Sequence, residues 1–253
     1  MNHLSDLRGI SRAFASDAAS IDPEAAVRSE IWPTAGRIID HLGNIQRWVT
    51  EIVRTGMPQD RREFRRPAEL DRIGWFVDVN AHLVAELESN DPARPCWALY
   101  DTSGDVAFWR RRMAHEAGKH LWDLRTAREQ APPLPAEISV EGRGDIIDEF
   151  GDVFMAQARR RGIEPLPAPV DLVADDTSRR WRVSPTWGLR SDVAGATSDA
   201  TSVEAPGVTV TGSVGDLVLF IWGRADPLAL PGRFSIDGDD RVFRAFRDTP
   251  VHL

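Results

Sequence analysis

Apolar residues recur three or four positions apart through the first 161 residues, which is the spacing of one face of an α-helix. Thr34 and Gly56 bound one of these patterns, because threonine suits a helix N-cap and glycine suits a helix end. The charged, arginine-rich segment between Gly56 and Pro67 is typical of a solvated loop. The pattern predicts helices at about residues 3–19, 34–56, 67–90, 103–128 and 136–161.

The pattern changes after Gly162, where the proline-rich segment EPLPAP predicts a linker. Apolar residues then alternate with polar ones around Trp181, Val208 and Phe234, which predicts short strands. Helices are predicted after Ser213 and at residues 239–248. We therefore predict an α+β protein, with a four-helix bundle in residues 1–162 and a smaller α+β domain in residues 170–253.

Composition and charge exclude several classes of protein. The 253 residues carry a net charge of −8, which argues against nonspecific binding to nucleic acid or to acidic membranes. Cys96 is the single cysteine, so the chain has no internal disulfide and no cysteine zinc cage, and we expect a buried thiol. A long apolar segment and a secretory signal pattern are both lacking, so we expect a cytoplasmic protein.

The predicted helix at residues 103–128 carries three side chains that can bind a metal, His115, Glu116 and His120. Glu116 and His120 are four residues apart and share a helix face, which is otherwise apolar. His115 and His120 are five apart and point about 140° away from each other, so we do not expect them to share an ion. A carboxylate and an imidazole on a buried face are costly unless they are paired or bound to a cation.

A third candidate ligand, His41, lies within the apolar stripe of the predicted helix at residues 34–56. Two imidazoles and one carboxylate converging in a bundle would give a divalent metal three ligands and one open position. Periodicity alone does not show that the two helices face each other. His41 as a core histidine bonded to a carbonyl, and Glu116 paired with Arg112 or Lys119, are the alternatives.

The run FWRRRMAHEAGKHLWDLR resembles the signature of the mycothiol-dependent maleylpyruvate isomerase family of actinobacteria, in which the pattern RR..HE...H.WD recurs. IWPTAGRIIDHLGNIQRW resembles the HL helix of that family, and EGRGDIIDEF resembles its acidic helix start. LVLFIWGRADPL and RFSIDGDDRVFRAF resemble its C-terminal domain. The resemblance implies a DinB-like N-terminal bundle and a C-terminal domain similar to sterol carrier proteins. The sequence departs from the family in its arginine-rich segment before Pro67, which predicts a different pocket.

Carried over to this sequence, the resemblance makes His41, Glu116 and His120 the ligands of zinc or of another divalent metal. It implies mycothiol as a low-molecular-weight thiol cosubstrate, whose thiol would lose its proton on the metal. Arg224 matches a cationic residue that the family presents from its second domain, and it is the predicted catalytic residue. The alternative for Arg224 is that it stabilises the last carbonyls of a helix.

The predicted function is that of a metal-dependent and mycothiol-dependent isomerase or thiol transferase acting on a small electrophilic substrate. The alternative is a non-catalytic module that binds a small ligand or a thiol and holds a structural metal. A regulatory protein such as an anti-sigma factor is a third, less favoured hypothesis. We expect no nucleic-acid or membrane partner, and a monomer or a weak homodimer.

Overall fold

The structure is a computed structural model that describes residues 2–29, 31–101, 103–193 and 205–251. Contacts divide the chain into two compact units, Met1–Ile138 and Ser139–Leu253. This division falls earlier in the chain than the predicted boundary at residues 162–170, which stays a prediction. Among the described helices, none combines the length and the apolar character that a membrane span requires.

Four long helices make up most of the first unit, and their apolar faces form its core. Thr34 is the N-cap predicted from the sequence, since its side chain accepts a bond from the backbone N–H of Arg37. The same helix ends at Gly56, whose φ of 74° is the left-handed conformation that favours glycine. The helices are α1 (His3–Ala18), α2 (Ala35–Thr55), α3 (Arg72–Ser89) and α4 (Val106–Arg125).

Helix pairing in the first unit decides which side chains meet. α1 packs mainly against α4, α2 packs mainly against α3, and α2 also contacts α4. The approach of α2 to α3 is close, because a Cβ atom on Gly43 would lie 2.2 Å from the ring of Trp75. The contact between α2 and α4 brings together the two helices that carry the candidate ligands.

A short hairpin occupies the segment before α4, so the helix predicted from about residue 103 begins at Val106. The two antiparallel strands of this hairpin are β1 (Pro95–Trp97) and β2 (Ser103–Asp105). The backbone N–H of Trp97 donates to the carbonyl oxygen of Gly56 at 3.0 Å, which ties the hairpin to the end of α2. Strands of three residues are too short to show a period of two, so the pattern did not reveal them.

The second unit contains a five-stranded sheet with the order β5-β4-β3-β6-β7. β3 and β6 run parallel at its centre, and the other neighbouring pairs run antiparallel. The strands are β3 (Val170–Ala174), β4 (Arg179–Val183), β5 (Leu189–Val193), β6 (Val208–Gly212) and β7 (Phe234–Gly238).

Helices pack against this sheet and complete the core of the second unit. The predicted helix at residues 136–161 is α5 (Val140–Glu149), a π-helical segment (Phe150–Met155) and α6 (Ala156–Arg160). The helix capped by Ser213 is α7 (Val214–Ile221), and the last helix is α8 (Asp240–Arg247). A helical first unit and a sheet-containing second unit confirm the predicted α+β class.

Candidate metal centre

The structure brings His41 of α2 together with Glu116 and His120 of α4. The Oε1 atom of Glu116 lies 3.4 Å from Nε2 of His41 and 3.2 Å from Nε2 of His120. One ligand atom from each of the three residues lies within 4.8 Å of the other two. The geometry therefore joins the residues that helical spacing and family order had selected separately.

Burying these three polar side chains costs free energy unless they are paired with one another or with a cation. The side chain of His120 is 4 % exposed, that of His41 is 9 % exposed and that of Glu116 is 19 % exposed. Buried polar groups need partners, and a carboxylate flanked by two imidazoles supplies the donor set that zinc and similar divalent metals bind. The remaining exposure of Glu116 leaves an open side where a further ligand can approach.

The charges of the group support an ionised carboxylate. Burial alone would raise the pKa of Glu116, but hydrogen bonds with His120 and His41 and nearby positive charge hold this pKa well below its usual range. Burial lowers the pKa of His41, and the bond to Glu116 opposes this effect only in part. Glu116 therefore carries the negative charge that a bound cation requires.

Two further residues of α4 orient the candidate ligands. The Nδ1 atom of His120 lies 2.9 Å from Oδ2 of Asp123, a carboxylate with no exposure to solvent. Arg112 donates from Nη2 to the second carboxylate oxygen of Glu116 at 2.8 Å. Metal-binding histidines usually donate their other ring N–H to such a carboxylate, which fixes the ring and its tautomer. The pairing of Glu116 with Arg112 that was expected as an alternative therefore exists beside the histidine contacts.

Asp123 and Trp32 lie in the motifs quoted above, but no role was predicted for either side chain. Asp123 follows His120 by three residues, so helical spacing was the signal that its side chain would reach the imidazole. The indole ring of Trp32 stacks on His41 with centroids 4.3 Å apart and an interplanar angle of 25°. Trp32 precedes α2, and its stacking had no local signal.

The other described histidines lie apart from this group. His115 is buried, and its ring packs edge-on against that of His3 with centroids 5.9 Å apart. The Nδ1 atom of His82, on α3, lies 2.7 Å from the carbonyl oxygen of Asp78 one turn earlier. His115 therefore points to a different side of α4 from His120, as helical geometry predicts. His252 lies outside the described residues.

Arg224 and Cys96 are the other residues whose roles the sequence raised. Arg224 donates from Nη1 to the carbonyl oxygen of Trp222 at 2.7 Å, directly after α7. This contact is the helix-end interaction expected as its alternative role, while its catalytic role stays a prediction. Cys96 is 4 % exposed, and burial raises the pKa of its thiol.

Comparison with known proteins identifies the first unit. The family model for the mycothiol maleylpyruvate isomerase N-terminal domain matches residues 4–125, a range that includes all three candidate ligands. No curated protein matches the chain. Crystal structures of the mycothiol-dependent maleylpyruvate isomerase and of a point mutant of it match with a TM-score of 0.62 at 12 % identity, covering 93 % of this chain and 91 % of that chain.

A fold match at this level of identity supports the architecture, and the family model supports the relationship. Sterol Carrier Protein 2 Like 2 from Aedes aegypti matches with a TM-score of 0.33 at 18 % identity, covering 44 % of this chain and 99 % of that chain. Residues 4–125 form a mycothiol maleylpyruvate isomerase N-terminal domain.

Proposed function

We propose that His41, Glu116 and His120 bind one divalent metal ion, with zinc favoured, and that the chain is a mycothiol-dependent isomerase or thiol transferase. The observation that carries the proposal is the convergence of two imidazoles and one ionised carboxylate within 4.8 Å in a nearly buried site. When bound, zinc lowers the pKa of a coordinated thiol or water towards neutrality.

The chain's own residues would prepare the site for this chemistry. Asp123 would accept a hydrogen bond from the Nδ1–H group of His120, which would leave the lone pair of Nε2 available to a cation. Arg112 holds one oxygen of Glu116 and leaves the other between the two imidazoles. Trp32 covers one face of His41 and limits the access of water to that ring.

The proposed reaction uses the thiol as a reversible nucleophile. Its thiolate sulfur would add to one carbon of a cis double bond that is conjugated to a carbonyl group, and the displaced electron pair would move to the carbonyl oxygen as an enolate. The former double bond is then single and can rotate. Elimination of the same sulfur restores the double bond in the trans geometry, so the thiol is regenerated. The matched isomerase is named for maleylpyruvate. For this chain we propose a related small unsaturated acid as the substrate.

The first test is the metal content of the purified full-length protein, measured by mass spectrometry of the elements. We expect about one metal ion per chain in the wild type and a loss of this ion in His120→Ala. His82→Ala removes a histidine of α3 that is outside the group and should keep the metal. A wild-type protein that stays metal-free after incubation with zinc would overturn the proposal.

A second test separates the enzyme from the alternative of a non-catalytic binding module. Mycothiol should bind more tightly to the zinc-loaded protein than to the zinc-free protein in calorimetric titrations, as a metal-bound thiolate requires. With mycothiol present, the enzyme should also convert maleylpyruvate or a related cis acid to the trans isomer. Metal and thiol binding without turnover of any such acid would favour the module.

A further inference from the structure

The arginine-rich segment after α2 is largely exposed, as its composition predicts, but hydrogen bonds fix it to that helix. Trp48 donates from its indole N–H to the carbonyl oxygen of Gln59 at 2.9 Å, near the start of the segment. Arg47 donates to the carbonyl oxygen of Arg65 at 3.0 Å, near its end. The guanidinium of Arg61 lies 5.7 Å from the centre of the Trp48 ring, a cation–π contact. The segment is therefore fixed at several points along α2.

This folded segment forms one wall of a cavity of about 390 Å³ beside His41. Arg61, Arg62 and Arg65 line the wall, and Arg37 faces the same cavity from α2, four residues before His41. Arg61 and His41 both line this cavity. The cavity thus joins a set of guanidinium groups to the candidate metal centre within the first unit.

The charges of the cavity wall are not balanced. The carboxylate among the lining residues, that of Asp40, already accepts bonds from Arg66 at 2.7 Å and from Arg72 at 2.9 Å. Arg62 pairs with Asp60, and Arg61 is attracted by the charge of Glu116. Within the described part of the chain, no carboxylate is within ion-pair distance of Arg37, Arg61 or Arg65. Unbalanced positive charge in a chain whose net charge is −8 is a local feature that favours an anionic ligand.

An amide oxygen that lines the cavity from α2 also lacks a hydrogen-bond partner. The Oδ1 atom of Asn44 is buried and makes no hydrogen bond within the described residues. Asn44 lines the cavity one turn after His41 on α2. This oxygen is an acceptor, so it would take a hydrogen bond from a donor group of the bound molecule and does not itself bind an anion.

We propose that Arg61 and Arg65 of this wall, together with Arg37 of α2, bind an oxyanion and hold a carboxylate of the substrate beside His41. Guanidinium groups bind carboxylate and phosphate with the same paired geometry, so the shared chemistry is that of a small oxyanion. The assignment of this anion as the substrate rests on the proposed function, whereas anion binding at the wall does not. The wall makes the arginine-rich segment the specificity element of the first unit.

The test is the affinity of the full-length protein for succinate, measured by calorimetry at fixed ionic strength. Arg61→Gln with Arg65→Gln should weaken succinate binding by roughly tenfold or more, the loss expected for a charge-assisted hydrogen bond. Arg37→Gln leaves the folded segment intact and should also weaken binding. Arg54→Gln, on the exposed face of α2 where Arg54 pairs with Glu51, is the matched control and should bind like the wild type.

Further titrations identify which anion binds and which side chains bind it. Neutral succinamide should not bind, and inorganic phosphate should bind more weakly than succinate. Phosphate binding without succinate binding would overturn the carboxylate assignment.

The same titrations in His120→Ala separate the arginine wall from a bound metal, since succinate binding that depends on the arginines should persist there. This persistence would support the wall even if the wild type held no metal and the proposed function failed. Unchanged succinate affinity in both arginine variants would overturn the wall even if the metal were present.

Discussion

At the scale of single residues, Asp123 has the clearest indirect role. Its carboxylate has no solvent exposure and lies 2.9 Å from Nδ1 of His120. Asp123→Asn keeps the shape but removes the charge that orients the imidazole, so zinc affinity should fall about 10- to 100-fold. Competition with a chelating dye measures this change, and Asp78→Asn on the exposed face of α3 is the control. Equal zinc affinities of Asp123→Asn and the wild type would contradict the role.

Cys96 gives a second prediction at this scale. Burial raises the pKa of its thiol, and the thiolate is the reactive form, so native Cys96 should react slowly. We expect its reaction with a disulfide reagent at pH 8 to be roughly tenfold or more slower in the native protein than in denaturant. Cys96→Ala gives the background rate. Equal rates in the two states would show that the thiol is accessible in the folded protein.

The candidate ligands were predictable because each has a local signal. Glu116 and His120 are one helical turn apart, and His41 interrupts an apolar stripe. The arginine wall was not predictable, because a run of arginines looks the same whether it is solvated or folded. Its placement depends on Trp48 and Arg47, which meet the segment only in the tertiary structure.

At the scale of elements, the close approach of α2 to α3 depends on Gly43. A Cβ atom there would lie 2.2 Å from Trp75, so Gly43→Ala should destabilise the protein by about 1–3 kcal/mol. Gly9 is an exposed helical glycine of α1 with no atom within 4 Å of an added Cβ. Gly9→Ala should therefore stabilise the protein by about 0.5–1 kcal/mol. Denaturant unfolding measures both changes, and destabilisation of similar size in the two variants would argue against the steric explanation.

The pattern of apolar residues predicts some helices and strands and not others. Long helices with one apolar face and polar caps, such as α2, follow directly from spacing and cap residues. β3 was missed because four of its five residues are buried, among them Asp171, so its sequence VDLVA does not alternate cleanly. Asp171 is buried only because Arg182 of the neighbouring strand pairs with it at 2.6 Å. Such a partner is known only once the sheet is assembled.

At the scale of the whole molecule, the two compact units should respond differently to the metal. All three candidate ligands belong to the first unit, so we expect bound zinc to stabilise that unit directly. Free zinc at about 100 times its dissociation constant should add about 2.7 kcal/mol to the stability of the first unit. Hydrogen exchange followed by mass spectrometry should show slower exchange in peptides of residues 1–138 and unchanged exchange in those of residues 139–253. Slower exchange confined to the second unit would contradict the site.

The arginine wall also has a consequence for the rate at which an anion arrives. At an ionic strength of about 10 mM the screening length is about 30 Å, so an approaching anion is repelled by the net charge of −8. At about 150 mM this length is about 8 Å, and the arginines beside His41 are the charges that the anion meets. The association rate of succinate should therefore rise over this range and fall again near 1 M salt, where screening reaches the wall itself. Stopped-flow tryptophan fluorescence can follow this rate, and a steady decline from the lowest salt would mean that the arginines already act at long range.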